Sequence, residues 1–252
     1  MRKIIYTLCV IGMLSCSSKK SNIIFEEHFS STKLNTTNWN YDIGDGCPQI
    51  CGWGNNELQF YKQQNVRVSN GNLVITAQKD SIYTSGKIHT KDKITFTYGT
   101  IEVRAKLPKG KGLWPAIWLL GNNINQVGWP ACGEIDMMEY VGKEPGVLFT
   151  SMHTPSSHGN TINTKKTAIK NLEEDFHVYK CIWTENEIAF YIDDQHLYTY
   201  NPAVKNDKTW PYNKPFYLIL NLAIGGNFGG PEVDNTIFPT EFVIDYIKVY
   251  KN

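Results

Sequence analysis

The sequence has almost no net charge, since its 25 basic and 24 acidic residues leave a formal charge of +1. No basic cluster stands out after residue 20. Nucleic acids and anionic membrane surfaces attract proteins through clustered lysine and arginine, so neither is an expected partner. A neutral polymer fits this charge balance better.

Cysteine is scarce, and none of the six cysteines has a Cys/His spacing typical of a zinc site. Cys47 and Cys51 lie four residues apart in a loop-like segment, and a local disulfide between them fits an oxidising compartment. Cys132 and Cys181 adjoin strand-like sequence and are predicted to be buried thiols.

The N-terminal apolar stretch from Ile4 to Leu14 is too short to span a membrane as a helix. It follows Arg2-Lys3 and precedes a polar segment, so residues 1–20 are predicted to be a lipoprotein-type signal peptide and the start of a tether. Met13-Leu14-Ser15-Cys16 resembles a bacterial lipobox. A lipid on Cys16 would anchor the protein at a membrane outside the cytoplasm, and plain secretion is the alternative.

Helical periodicity is also weak, and the best candidate, Asn171 to Phe176, is one turn long. Short apolar alternations separated by Gly, Asn, Asp and Pro dominate from Val66 onward, with two hairpins predicted within residues 178–200. Many short strands at regular spacing predict an all-β, two-sheet sandwich of jelly-roll type. No repeat, linker or second domain interrupts residues 21–252, which we expect to form a single domain.

Three carboxylates stand among large apolar residues in the segment from Glu134 to Glu139, which reads EIDMME. Side chains alternate faces along a strand, so Glu139 should point away from Glu134 and Asp136. A β-bulge at Met137-Met138 would bring all three to one face. Acidic residues on a strand are usually a solvated face, but three like charges repel one another, which favours a site that uses shifted pKa values.

Tryptophans flank this segment, with Trp114 and Trp118 before it and Trp129 in a Gly-Trp-Pro loop. Strand tryptophans usually belong to the core, and we expect this of at least one of Trp114 and Trp118. Trp129 is predicted to be an exposed platform on which a sugar can stack. The segment therefore indicates a carbohydrate ligand.

The strand from Tyr98 to Leu107 alternates polar and apolar residues. Its polar set includes Glu102 and Arg104, which we expect on a concave, wet face together with the carboxylates. The alternative is a surface ion pair that contributes little stability.

The EIDMME segment resembles the catalytic E-I-D-x-x-E motif of glycoside hydrolase family 16, in its laminarinase-type form. The resemblance covers about residues 23–252 and includes the segments Trp53 to Gln59, Trp114 to Trp118, Leu220 to Asn227 and Asp245 to Tyr250. It implies a concanavalin A-like β-jelly roll with a concave substrate cleft. The implied activity is retaining endo-hydrolysis of β-1,3- or mixed-linkage β-1,3/1,4-glucan by a monomer that needs no cofactor for catalysis. A non-catalytic glucan-binding protein or a transglycosylase on the same fold is the alternative.

The resemblance also implies roles for individual residues. Glu134 is the nucleophile, Glu139 the general acid/base, and Asp136 the helper beside the nucleophile. A structural calcium ion is expected on the convex side, bound by the carbonyl oxygens of His28 and Gly71 and the carboxylate of Asp245. The expected sugar contacts are Asn56, Glu102, Arg104, Trp114, Trp118, Trp129 and His153.

Overall fold

The computed structural model describes residues 22–252, which form two packed β-sheets. Cys16 and the predicted signal peptide lie outside the described residues, so lipidation and export stay predictions. Two single-turn helices, α1 (Ile124–Val127) and α2 (Gly226–Gly229), and three 3-10 turns (Cys51–Gly54, Gln63–Asn65, Asn235–Ile237) accompany the strands. The strands are β1 (Ile23–Glu27), β2 (Asn40–Tyr41), β3 (Gln59–Tyr61), β4 (Val66–Ser69), β5 (Asn72–Lys79), β6 (Tyr83–Ser85), β7 (Lys87–His89), β8 (Gly99–Lys106), β9 (Leu113–Gly121), β10 (Glu134–Tyr140), β11 (Val147–His153), β12 (Thr164–Ala168), β13 (His177–Trp183), β14 (Ile188–Ile192), β15 (Gln195–Tyr200), β16 (Phe216–Ile224) and β17 (Thr240–Tyr250).

The larger sheet, here the outer sheet, has ten strands in the order β15-β14-β13-β8-β17-β5-β6-β3, with β1 on β17 and β4 on β5. The smaller sheet, here the cleft sheet, has seven in the order β12-β11-β10-β9-β16-β7-β2. Neighbours such as β8 and β17 are far apart in sequence, which is the crossover pattern of a jelly roll. The predicted all-β jelly-roll fold is confirmed.

The local predictions hold with one difference. Strands β13, β14 and β15 pair in sequence, which confirms the two hairpins within residues 178–200. Asn171 to Phe176 forms turns rather than a helix, and Asn171 has a left-handed φ of 59°. Cys132 and Cys181 are buried free thiols, as predicted.

The hydrophobic core lies between the two sheets. In β8, Ile101, Val103 and Ala105 are fully buried, whereas the polar residues between them are partly exposed. All nine residues of β16 are buried. Leu218, Leu220 and Leu222 belong to the main core, and on the other face Tyr217 and Ile219 pack in a second apolar cluster with Leu120 and Cys132. Burial of apolar area at about 25 cal/mol per Å² makes this interface the main source of stability. In residues 22–252 no helix has the length and apolar character needed to cross a membrane.

Candidate active site

The three carboxylates lie on β10, where a bulge interrupts strand pairing. Asp136 pairs with Ser151 of β11, but the next registered pair is Glu139 with Phe149. Met137 and Met138 therefore stand opposite a single residue of β11, and both side chains are buried. The predicted bulge at Met137-Met138 is confirmed, and it turns Glu139 to the face that carries Glu134 and Asp136.

Cross-strand pairing places these carboxylates within rows that cross the cleft sheet. Each row passes from β12 through β11, β10, β9 and β16 to β7. The Glu139 row contains Lys166, Phe149, Glu139, Ala116, Asn221 and Lys87. The Asp136 row contains Thr164, Ser151, Asp136, Trp118, Ile219 and His89.

A cavity of about 330 Å³ opens above these rows. Its lining joins the carboxylates to aromatic and amide side chains: Ile50, Trp53, Gly54, Asn55, Glu57, Trp114, Ala116, Trp118, Leu120, Ile124, Trp129, Glu134, Asp136, Glu139 and Asn221. A larger, more open cavity of about 570 Å³ lies near Tyr98 and Asn252 and contains one carboxylate, Glu185. Because acid/base chemistry on a sugar needs paired carboxyls, the smaller cavity is the candidate active site.

An indole N–H group contacts each of the two glutamates. Trp129 Nε1 donates to Glu134 Oε2 at 2.9 Å, and Trp114 Nε1 donates to Glu139 Oε1 at 3.1 Å. Ser151 Oγ lies 3.5 Å from the other oxygen of Glu139. These donors hold the two carboxyl groups in defined orientations.

Burial raises the pKa of Glu134, Asp136 and Glu139 to about 8. The charge of Asp136 adds to this rise in both glutamates. The positive character of His153 acts in the opposite direction, and its Nε2 lies 3.1 Å from Asp136 and 3.6 Å from Glu134. The three carboxyls are therefore coupled, and we expect them to titrate as one set.

Trp129 lies at the mouth of the cavity with 44% of its surface exposed. Its ring packs against His153 at 5.9 Å and against His158 at 5.2 Å. The exposed position agrees with the prediction for this residue. The structure also places Trp114 and Trp118 in the cavity lining, where both are partly exposed, so the expectation that one of them is a core residue is wrong. It places His153 beside the carboxylates.

Glu102 and Arg104 are not in the cleft, so the prediction that they contact the sugar is wrong. They project from β8 in the outer sheet, where Glu102 lies 3.4 Å from Lys180 and Arg104 forms an ion pair with Asp245. The polar alternation correctly indicated a strand with one wet face. It could not indicate which of the two sheets contains that strand, and the surface ion-pair alternative is the correct one.

Asn56 also differs from its predicted position. Its side chain is exposed and donates to Asn227 Oδ1 at 2.8 Å, whereas the preceding residue, Asn55, lines the cavity. Asn56 has a left-handed φ of 56°.

A polar cluster on the β7 side of the cleft could not be predicted from the sequence. It consists of Asp42, Trp53, Lys87 and His89. Lys87 Nζ lies 3.2 Å from Asp42 and 4.3 Å from the Trp53 ring centroid. Burial would raise the pKa of Asp42, but a hydrogen bond from His89 and the charge of Lys87 outweigh it and hold the pKa at about 2. These residues come from three separate segments, and no local pattern links them.

Glu57 is a fourth carboxylate in the lining that the sequence analysis did not assign. Burial raises its pKa, although Asn55, Gln59 and Tyr61 donate hydrogen bonds to it at 3.2, 2.7 and 3.1 Å. Nearby, Cys47 and Cys51 form the predicted disulfide. It closes the loop that carries Ile50 and precedes Trp53 at the edge of the cleft.

The predicted calcium positions lie on or next to neighbouring strands of the outer sheet. His28 follows β1 and Gly71 lies between β4 and β5, and both β1 and β5 pair with β17, which carries Asp245. Two carbonyl oxygens and a carboxylate are ligands of the kind that calcium accepts. Arg104 pairs with one oxygen of Asp245, so the other oxygen would be the ligand. Calcium binding stays a prediction.

The chain is similar to known proteins over most of its length. Residues 54–248 match the family described as Glycosyl hydrolases family 16. A β-glucanase from Rhodothermus marinus is 36% identical over 100% of this chain and 95% of its own length. Glucan endo-1,3-beta-glucosidase A1 from Niallia circulans is 39% identical over 91% of this chain, and the match spans 38% of that longer protein.

Solved structures give the same result. The crystal structure of laminarinase from Flavobacterium sp. UMI-01 has 58% sequence identity and a TM-score of 0.89, and the match covers 91% of this chain and 100% of that one. The matched region contains both sheets and the carboxylate segment. The chain therefore belongs to the glycosyl hydrolases of family 16.

Proposed function

We propose that this protein is a retaining endo-β-glucanase that hydrolyses β-1,3-glucan or mixed-linkage β-1,3/1,4-glucan. The observation that carries the proposal is the bulge in β10, which puts Glu134 and Glu139 on one face of a cleft with aromatic walls. The names of the similar proteins support the same class of substrate.

The proposed reaction is a double displacement at the anomeric carbon. Glu134 attacks this carbon while Glu139 gives its proton to the departing glycosidic oxygen, which leaves a glycosyl ester on Glu134. Glu139, now ionised, takes a proton from water. The resulting hydroxide oxygen bonds to the same carbon and frees Glu134, so the configuration is retained.

The division of roles rests on the motif, and the surroundings of the two glutamates are compatible with it. Glu139 needs a raised pKa to donate a proton near neutral pH, and burial together with Asp136 supplies it. Glu134 must be ionised to attack; burial and Asp136 raise its pKa as well, while His153, whose Nε2 lies 3.6 Å away, and the Trp129 indole N–H act against that rise. Asp136 lies between Ser151 and Trp118 in its row, where it orients the nucleophile and exchanges protons with it.

Glu134, Asp136 and His153 could also bind a metal, because one ligand atom from each lies within 4.8 Å of the others. A metal there would occupy the nucleophile, and the proposed reaction needs only the two carboxyls. We therefore expect full activity after dialysis against a chelator, measured at a temperature at which the calcium-free protein stays folded. Loss of activity that a transition metal restores and calcium does not would contradict this scheme.

Release of new reducing ends from laminarin, barley mixed-linkage glucan and agarose tests the proposal. We expect release from one or both glucans, none from agarose, and less than a thousandth of this rate for Glu134→Gln. Tight glucan binding without release would instead indicate a binding protein, and predominant formation of longer oligosaccharides would indicate a transglycosylase. A fully active Glu134→Gln variant would contradict the assignment of the nucleophile.

Three further parts of the proposal concern the membrane anchor, the oligomeric state and calcium binding. A lipid on Cys16 would anchor it outside the cytoplasm. The protein would act as a monomer, and calcium would stabilise the outer sheet. Incorporation of a labelled fatty acid that the Cys16→Ser variant lacks would test the anchor, and a calcium-dependent rise in Tm that Asp245→Asn lacks would test the ion.

A further inference from the structure

An aromatic wall stands beside Glu139. It consists of Trp114 from β9, Phe149 from β11 and Phe228 from α2. The Phe228 ring lies 5.4 Å from Trp114 and 4.9 Å from Phe149, with interplanar angles of 88° and 81°. Phe149 is 1% exposed, while Trp114 and Phe228 are partly exposed. Trp114 lines the cavity, Phe228 packs beside it with part of its ring exposed, and Phe149 is buried next to Phe228.

Two exposed lysines flank this wall. Lys143 Nζ lies 5.6 Å from the Phe228 ring centroid, and Lys166 Nζ lies 4.9 Å from that of Phe149. Lys166 also bonds to both carboxylate oxygens of Glu144 at 2.9 and 3.1 Å. Aromatic faces contact the C–H faces of a sugar ring, and ammonium groups at their edge can donate to its hydroxyls.

The contacts of Glu139 show which part of the substrate lies on this side. Trp114 donates to Oε1 at 3.1 Å, whereas the Ser151 hydroxyl of β11 donates to Oε2 over a longer 3.5 Å and also lies 2.9 Å from Thr164 Oγ1. Because the bond to Oε1 is the shorter one, we place the proton for the leaving oxygen on Oε2. Beyond it, the Glu139 row continues to Phe149 and Lys166, whereas Ala116, Asn221 and Lys87 lie in the other direction.

We infer that the aromatic wall, with Lys143 and Lys166 at its edge, binds the glucosyl unit that departs as the leaving group. In this arrangement Phe228 is a specificity-determining residue. The inference rests on the proposed double displacement, but it assigns a site that the carboxylate motif does not identify. A purely structural alternative is that Phe228 only supports the Trp114 ring.

The double displacement separates these two explanations. Once the leaving group departs, the same place admits either water or the hydroxyl of a second sugar. If a sugar enters, its oxygen bonds to the anomeric carbon, the bond to Glu134 breaks, and Glu139 takes the hydroxyl proton. A wall that binds sugar therefore raises the ratio of transfer to hydrolysis. A structural support changes the amount of active enzyme and leaves this ratio alone.

The test compares Phe228→Ala with wild type on laminaripentaose and on an aryl β-laminaribioside, whose leaving group is not a sugar. We expect kcat/KM on the pentaose to fall roughly 5- to 10-fold, with a similar fall in the transfer-to-hydrolysis ratio. The kcat/KM for the aryl substrate should change less than about twofold, since a flat aryl group needs no sugar platform. Phe228→Trp should restore both values.

Two further variants serve as controls. Phe228→Leu keeps apolar volume without a flat ring and should match Phe228→Ala, so an unfolded alanine variant would not prevent the test. Phe176→Ala removes a partly exposed ring 4.5 Å from the Arg104 guanidinium on the outer sheet and should match wild type.

The inference would be overturned if Phe228→Ala lost kcat/KM equally on both substrates with an unchanged transfer-to-hydrolysis ratio, or if neither substrate showed a change. In both cases an active wild type would still support the proposed function. A wild type that cleaves no β-glucan would instead contradict the proposed function itself.

Discussion

Trp114→Phe should move the alkaline limb of the pH profile of kcat/KM to higher pH. The substitution keeps a ring in the aromatic wall but removes the N–H group that donates to Glu139 Oε1 at 3.1 Å. This bond favours the ionised carboxylate, so its loss raises the pKa of Glu139. Because Glu139 must hold a proton to act as the acid, activity should persist to higher pH.

The size of this effect follows from the bond that is lost. A hydrogen bond to a charged group contributes about 1.5–3 kcal/mol, and Glu139 is partly exposed, so the lower end applies. At about 1.4 kcal/mol for each pH unit, the midpoint of the limb should rise by about one unit.

The assay is kcat/KM on a soluble β-glucan oligosaccharide between about pH 4 and 10. Trp118→Phe is the matched control, since its N–H donates at 2.8 Å to the Asn221 amide oxygen rather than to a carboxylate. The control should keep the wild-type midpoint even if its activity falls. An active Trp114→Phe enzyme whose limb stays in place or moves to lower pH would refute the reasoning.

Three other predictions concern the buried carboxyl of Asp136, the disulfide between Cys47 and Cys51, and the bulge in β10. Burial raises the pKa of Asp136 from 3.8 to about 8, so the free energy of unfolding should fall as pH rises through this window. Asp136→Asn should flatten this fall. In denaturant titrations at pH 8 the variant should have a free energy of unfolding about 1–2 kcal/mol above that of the wild type. A steeper fall in the variant would contradict the burial argument. Replacing Cys47 and Cys51 by Ser should lower the free energy of unfolding by at most about 2 kcal/mol, because the closed loop is short. The same change should raise KM several-fold, because this loop borders the cleft. An unchanged KM would count against a role of the loop in binding. Deleting Met138 should cost about 2–5 kcal/mol of stability as a buried side chain is lost, yet keep measurable activity because even spacing alone holds Glu139 on the cleft face. A folded but inactive deletion variant would show that the bulge itself is required.

Local pattern predicted the features that depend on strand geometry. The five-residue separation of Glu134 and Glu139 required one extra residue for a shared face, and the bulge supplies it. Alternation in β8 predicted its buried and wet faces. These features follow from the two-residue period of a strand, which sequence displays directly.

Pairing between distant strands could not be predicted in the same way. The outer-sheet location of Glu102 and Arg104 depends on β8 lying between β13 and β17. The contact between Lys87 and Asp42 crosses from β7 to the segment after β2, and Phe228 in α2, after β16, packs against Trp114 of β9. Such contacts depend on the order of strands in the sheets, which alternation leaves open.

The configuration of the first product tests the central claim most directly. Proton NMR during the first minutes of hydrolysis of a β-glucan oligosaccharide distinguishes the two anomers before they interconvert. Double displacement by Glu134 and Glu139 predicts that the β-anomer appears first and the α-anomer grows in later by mutarotation. First appearance of the α-anomer would show that water attacks directly, and it would contradict the assignment of Glu134 as the nucleophile.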